Sequence, residues 1–252
     1  MKKTCLLLLG LVALGALIGG LPNLYAEPIQ VPDINITVGG EEAGLSSTIQ
    51  VILVLTVLAM APSILLMMTS FTRILIIFSF LRRALSLQTT PPNQILIGLS
   101  LFLTFYIMAP VFQEVYSEAY VPLSNNEITQ EEAFEKASQP MKDFMLKHVR
   151  KADLALFIKI SDSELPEDMK DVSLWALIPA FIISEMKTAF IVGFMLFIPF
   201  MIIDMVVAST LMALGMMMLP PVMISMPFKL LLFIMVDGWN LITGAVVKGF
   251  GL

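Results

Sequence analysis

Two adjacent prolines, Pro220 and Pro221, interrupt the apolar stretch LMALGMMMLPPVMISMPFK, which runs from Leu211 to Lys229. A regular helix cannot continue through them, because proline lacks an amide hydrogen and its ring clashes with the preceding turn. In lipid, an exposed backbone polar group costs several kcal/mol, so irregular chain is tolerated only where protein or a watery cavity surrounds it. This break is therefore expected to be a buried loop lining the interior of an assembly. The rest of the chain supports a membrane setting: 58% of its 252 residues are hydrophobic and only 14% are charged. That composition lies outside the soluble range and marks an all-α integral membrane protein.

The first segment carries Lys2 and Lys3, an apolar run from Leu6 to Ile18, then Gly19, Gly20, Pro22 and Ala26. It reads as a cleavable signal peptide over 1–26, followed by a polar tail over 27–44. The sole cysteine, Cys5, lies in that signal, so disulfides and thiolate chemistry are not expected of the mature chain. Losing both lysines with the signal would move the formal charge from −5 to −7, which disfavours nucleic acid as a partner. Residues 45–112 read as a first hydrophobic helical hairpin, with spans at Ile49 to Met68 and Ile95 to Phe112. Arg73, Arg82 and Arg83 lie between the spans with no acid to offset them, which marks the connection as cytoplasmic.

From Glu114 to Asp171 there are 13 acidic and 7 basic residues. The section 113–173 is therefore read as water-facing, helical and extracytoplasmic. Phe134, Ala137, Met141, Phe144, Met145 and Val149 form one helical stripe there, and Leu154, Phe157 and Ile158 form another. Residues 174–252 read as a second hairpin, interrupted by Pro179, Pro199, Pro220, Pro221 and Pro227, with its turn around Met216 to Pro221.

Six ionisable residues lie within the second hairpin: Glu185, Lys187, Asp204, Lys229, Asp237 and the later Lys248. A lipid-facing charge at mid-membrane costs about 2.5 to 3.5 kcal/mol on insertion scales, so these groups are expected to face protein or water and to pair. Three readings follow. Glu185 with Lys229, or Asp204 or Asp237 with a lysine, could bridge helices or subunits. Lys187 and Lys248 could instead reach the headgroups, and the acids could relay protons.

Of 19 methionines, 11 lie between Leu174 and Leu252. Scattered ones suit irregular core gaps, but the adjacent Met216, Met217 and Met218 cannot all occupy one buried helix face. Converging from several subunits, they would form a soft apolar constriction. His148, the only histidine, sits among Lys147, Arg150 and Lys151 as a surface residue. No nucleophile and base pair, phosphate loop or metal-binding motif is recognisable, so an enzyme, a cofactor and a metal are not expected.

The strings ILLMMTSFTRILIIFSFLRRAL, TTPPNQILIGLSLFLTFYIMAP, ADLALF, IPAFIISEMKTAFIVGFMLFIPFMIIDMVVAS, LMALGMMMLPPVMISMPFK and MVDGW resemble the FliP family of flagellar biosynthetic proteins of the type III export gate, related to the SctR subunits of virulence secretion systems. The resemblance covers nearly everything after Ser47. It implies long interrupted hairpins that assemble, as five copies with FliQ and FliR, into a conical helical ring in the inner membrane at the flagellar basal body. Other export apparatus components would dock on it, and unfolded flagellar proteins would pass through. The family's methionine gasket falls on Met216, Met217 and Met218, beside the Pro220-Pro221 break. Its inter-subunit charge contacts fall on Glu185 and Lys229, and its inter-subunit aromatic packing on Phe144 and Phe157. Asp204 and Asp237 remain as candidate buried charges. The competing readings are a virulence export subunit and a small-substrate secondary transporter built on interrupted helices, with a membrane enzyme more remote.

Overall fold

A computed structural model describes residues 47–161, 172–216 and 218–251. The expected signal peptide and polar tail, residues 162–171, and Met217 lie outside the described residues. The chain divides into two compact units, Met1–Thr56 and Val57–Leu252. Only the opening turns of α1 (Ser47–Met67) are described from the first. The second unit is helical, and the described residues contain no strand.

Its centre is α2, Phe71–Ala84. Phe71, Ile74, Ile77, Phe78, Leu81 and Ala84 recur at spacings of three and four, and all are buried. The arginine-marked connection of the first hairpin is thus a core helix. Its end turns sharply at Ser86, whose φ of 62° is left-handed. After Pro92 the chain restarts as α3, Asn93–Val115. One π-helical turn, Tyr116–Tyr120, then leads into the short α4, Val121–Ser124.

The acidic section folds as α5 (Gln130–His148) and α6 (Lys151–Ile160). A capping box starts α5: Thr129 Oγ1 accepts from the Glu132 amide while the Glu132 carboxylate accepts from the Thr129 amide. The expected stripe is buried at Met141, Phe144 and Met145, but Phe134 is 72% exposed. At that turn the buried position is the adjacent Ala133, so the packed face lies one residue away from Phe134.

The second hairpin starts with α7, Leu174–Ala213, a helix of 40 residues. Pro179 and Pro199, expected to interrupt it, lie inside an unbroken helix. A proline removes only its own hydrogen bond, and flanking helix can absorb that loss where neighbouring groups re-satisfy the freed carbonyl. The return limb is broken instead: α8 (Pro221–Met235) and α9 (Gly238–Lys248) meet at 65°. Asp237 occupies the corner with φ 49°. It was expected among the buried charges, yet it is exposed, because the corner turns its short side chain outward. Beside it a Cβ on Gly238 would stand 2.2 Å from the Phe233 ring, which leaves room only for glycine.

Among the described residues two helical stretches are long and apolar enough to cross a membrane, Asn93–Ser124 and Leu174–Ala213. The bent pair α8 and α9 makes a third if taken as one span.

Candidate functional site

The turn between α7 and α8 is built by two separate devices. Gly215, at φ 76°, takes the left-handed position that ends α7. Its amide donates to the Met212 carbonyl at 3.0 Å, and the Met216 amide donates to the Leu211 carbonyl at 3.0 Å, which is the Schellman pattern. The helix therefore stops before the prolines are reached. Pro220 and Pro221 act at the other end: Pro220 caps α8 and Pro221 occupies its first turn, where a missing amide costs nothing. Between these devices the chain presents Leu214, Met216, Met218 and Leu219 outward, with Met218 98% exposed. Gly215→Ala is expected to destabilise this stop by about 1 kcal/mol, the cost of a left-handed alanine, read as a lower thermal midpoint.

Below the turn lies a buried cation. Lys229 of α8 is 2% exposed, and its ammonium donates to Asp204 Oδ2 at 2.6 Å, Ser86 Oγ at 2.8 Å and the Ala84 carbonyl at 3.2 Å. Three donors meet three acceptors, so the desolvated charge is fully satisfied. Asp204 is half-buried and also accepts from Ser225 Oγ at 2.5 Å. One group thus ties the end of α2 to both limbs of the second hairpin. Of the pairings left open by the sequence, Asp204 with Lys229 is formed.

Glu185 has a different partner. It is fully buried on α7 and accepts a charge-assisted hydrogen bond from Arg73 Nη2 of α2. Arg73 Nη1 also donates to the Gly249 carbonyl at 3.3 Å, and the guanidinium lies 4.0 Å from the centre of the Phe250 ring. Phe250 stacks on Phe144, whose ring also meets Phe181 edge-on at 6.0 Å. Adjacent to Glu185, Ser184 Oγ donates to Asp153 Oδ2 at 2.7 Å and accepts from the Arg150 amide at 3.0 Å, fastening α6 to α7. Glu185 and Lys229, expected at contacts between subunits, thus each have an ion-pair partner within the chain, while Glu185 Oε2 and Arg73 Nε are buried with no hydrogen-bond partner among the described residues. Phe144 is buried in the same core, and Phe157 is partly buried against it.

Arg73, Ser86, Asp153, Ser184, Ser225 and Phe250 are among the members of these clusters that sequence reasoning missed. Arg73 stands alone in an apolar run, and that isolation was the available signal, because a buried guanidinium requires a partner. Among the described residues no group of three or more His, Cys, Asp or Glu could hold a metal ion.

His148 lies 4.9 Å from Phe144 and 5.2 Å from Phe250 between ring centres. Burial, then the charges of Arg73 and Lys147, lower its pKa to about 4. A histidine depressed in the fold contributes stability that is fully present above its unfolded pKa of about 6.5 and lost as pH falls toward 4. Thermal midpoints compared between the wild type and His148→Gln should therefore converge as pH drops from 6.5 to 4. Parallel curves over that window would show that His148 does not titrate this way.

The FliP family model matches residues 54–246, which include the turn and both ion pairs. The chain belongs to the FliP family. It is 57% identical over 217 residues to the flagellar biosynthetic protein FliP of Bacillus subtilis, covering 86% of this chain and 98% of that one. To the protein of the same name in Pectobacterium carotovorum it is 50% identical over 230 residues, covering 91% and 86% of the two chains. To that of Aquifex aeolicus it is 45% identical over 225 residues, covering 88% and 92%.

Proposed function

We propose that this chain is a core subunit of the flagellar type III protein export gate in the bacterial inner membrane, forming a passive gated conduit for unfolded flagellar proteins. The observation that carries the reading is the turn itself, an apolar, sulfur-rich loop held outward between a Schellman stop and a proline start. So exposed an apolar surface must be covered by lipid or by other protein, and α7 and α8 extend it with Phe194, Met205 and Phe228. Further copies, expected to be five, together with FliQ and FliR, would cover these faces and bring the Met216 to Met218 turns to a common axis. Other export apparatus components would drive transport, and the acidic section would face away from the cytoplasm.

The buried pairs give each subunit a rigid frame. With Arg73 to Glu185 and Lys229 to Asp204 paired inside the chain, the turn sits on a scaffold whose buried charges have partners. This favours the gate over a small-substrate transporter, since Asp204 is already engaged by Lys229 and Ser225.

Replacing Met216, Met217 and Met218 together by alanine is expected to leave assembly intact and to make the membrane leaky to ions. Ion flux into cells expressing the assembled gate measures this. Unchanged impermeability in the triple variant during export would remove the gasket role. A role in a virulence secretion system would appear as failure to restore motility to a strain lacking its own flagellar subunit.

A further inference from the structure

The end of α2 and the loop that follows it carry positive charge that the fold leaves unbalanced. Arg82, Arg83 and Lys229 surround this corner, and Asp204 is the one carboxylate bonded there. Arg82 Nη1 is held by the Pro91 carbonyl at 3.1 Å and Asn93 Oδ1 at 2.6 Å, both neutral acceptors, so its charge is positioned but not cancelled. Arg83 is exposed, and its side chain makes no hydrogen bond or ion pair with any described residue. Both arginines line a cavity of about 520 Å³ with Ser86 and Gln88. A helix C-terminus does attract cations, but Lys229 already serves that end by binding the Ala84 carbonyl.

Next to this polar chamber is a more apolar one of about 360 Å³, reaching Met223 and Met226 of α8. The two share Ser86, Leu87, Gln88 and Val222, so they form one groove with a cationic end and an apolar end. That division matches a phosphate headgroup followed by an acyl chain. The groove opens at the start of α8, directly after the methionine turn.

We propose that this groove binds an anionic phospholipid, its phosphate between Arg82 and Arg83 and its acyl chain along Leu87, Val222 and Met226. The site rests on the membrane placement of the chain and not on the gating role of the turn. Charge complementarity selects this occupant: a zwitterionic lipid would bring its own cation to the two guanidiniums, and a free phosphate would leave the apolar end unfilled.

The test uses the complex purified in detergent with its neighbouring subunits and titrated with phosphatidylglycerol or phosphatidylcholine, bound lipid being counted by native mass spectrometry. Phosphatidylglycerol should be retained over phosphatidylcholine, and Arg83→Gln should weaken its retention about fivefold, the worth of one basic residue at an anionic surface. Arg83→Lys should keep most of it. Because the Arg83 side chain is exposed and makes no hydrogen bond or ion pair with a described residue, these variants should leave the subunit intact, and their unchanged assembly is checked in the same spectra. Equal retention of the two lipids, or no effect of Arg83→Gln, would overturn the proposal. So would displacement of the lipid by millimolar inorganic phosphate, which would mark a phosphate site only, or by an acidic peptide, which would mark a protein-docking site. Loss of ion impermeability in the methionine variant with lipid retention unchanged would separate this site from the gate.

Discussion

Arg73→Met is expected to destabilise the chain by about 3–5 kcal/mol, because it leaves the Glu185 carboxylate buried with no cation to balance it. Glu185 is fully buried, and among the described residues Arg73 is its one ion-pair partner, so water cannot make good the loss. Arg73→Met also frees the Gly249 carbonyl and strips the cation from the face of Phe250, loosening the contact between α2 and the end of the chain. The double variant Arg73→Met with Glu185→Leu should recover most of the stability, since an apolar pair of similar volume carries no desolvation penalty. Thermal midpoints of the four proteins in detergent form the cycle. Additive losses in the double variant would show that the pair contributes nothing as a unit. The same pair predicts how Glu185→Ala affects assembly: through a subunit that folds poorly, with cellular abundance falling before any interface is tested.

A second large effect is expected at Gly193. A Cβ there would stand 2.6 Å from Cγ and 3.0 Å from Cβ of Phe80, closer than side-chain atoms can approach. Phe80 cannot swing aside freely, because its ring is held edge-on by Phe190 at 5.4 Å and Phe197 at 5.9 Å. Gly193→Val should therefore force α2 away from α7, at about 1–3 kcal/mol for overpacking alone, and strain the Arg73 to Glu185 pair that spans the contact. Phe80→Ala should partly rescue Gly193→Val while destabilising the wild type. If Gly193→Val is as stable as the wild type, the close approach of the two helices is wrong.

The membrane class, the helical character and the place of the turn could be read from the sequence, each for a local reason. Apolar runs mark spans, and Pro220-Pro221 marks a break whatever surrounds it. The pair of Asp204 and Lys229 was legible as a possibility because opposite charges on the two limbs of one hairpin are near neighbours. The pair of Arg73 and Glu185 was not, because 112 residues separate them and the arginine also fits a cytoplasmic connection. The same ambiguity concealed α2: arginines near both ends made a core helix resemble a loop between spans. The end of α7 was misassigned to the prolines because they are the louder signal, although Gly215 stops the helix first. Pro199 shows the converse, since a single proline inside a long helix need not break it.

The gate proposed for this chain depends on the methionine turns of several copies meeting at one axis. Imaging the complex purified with its neighbouring subunits tests this directly, at a resolution that shows where Met216 and Met218 point. The account predicts a closed ring with the turns projecting into its lumen and narrowing it. Turns facing outward against detergent, or a single copy with no lumen, would contradict it.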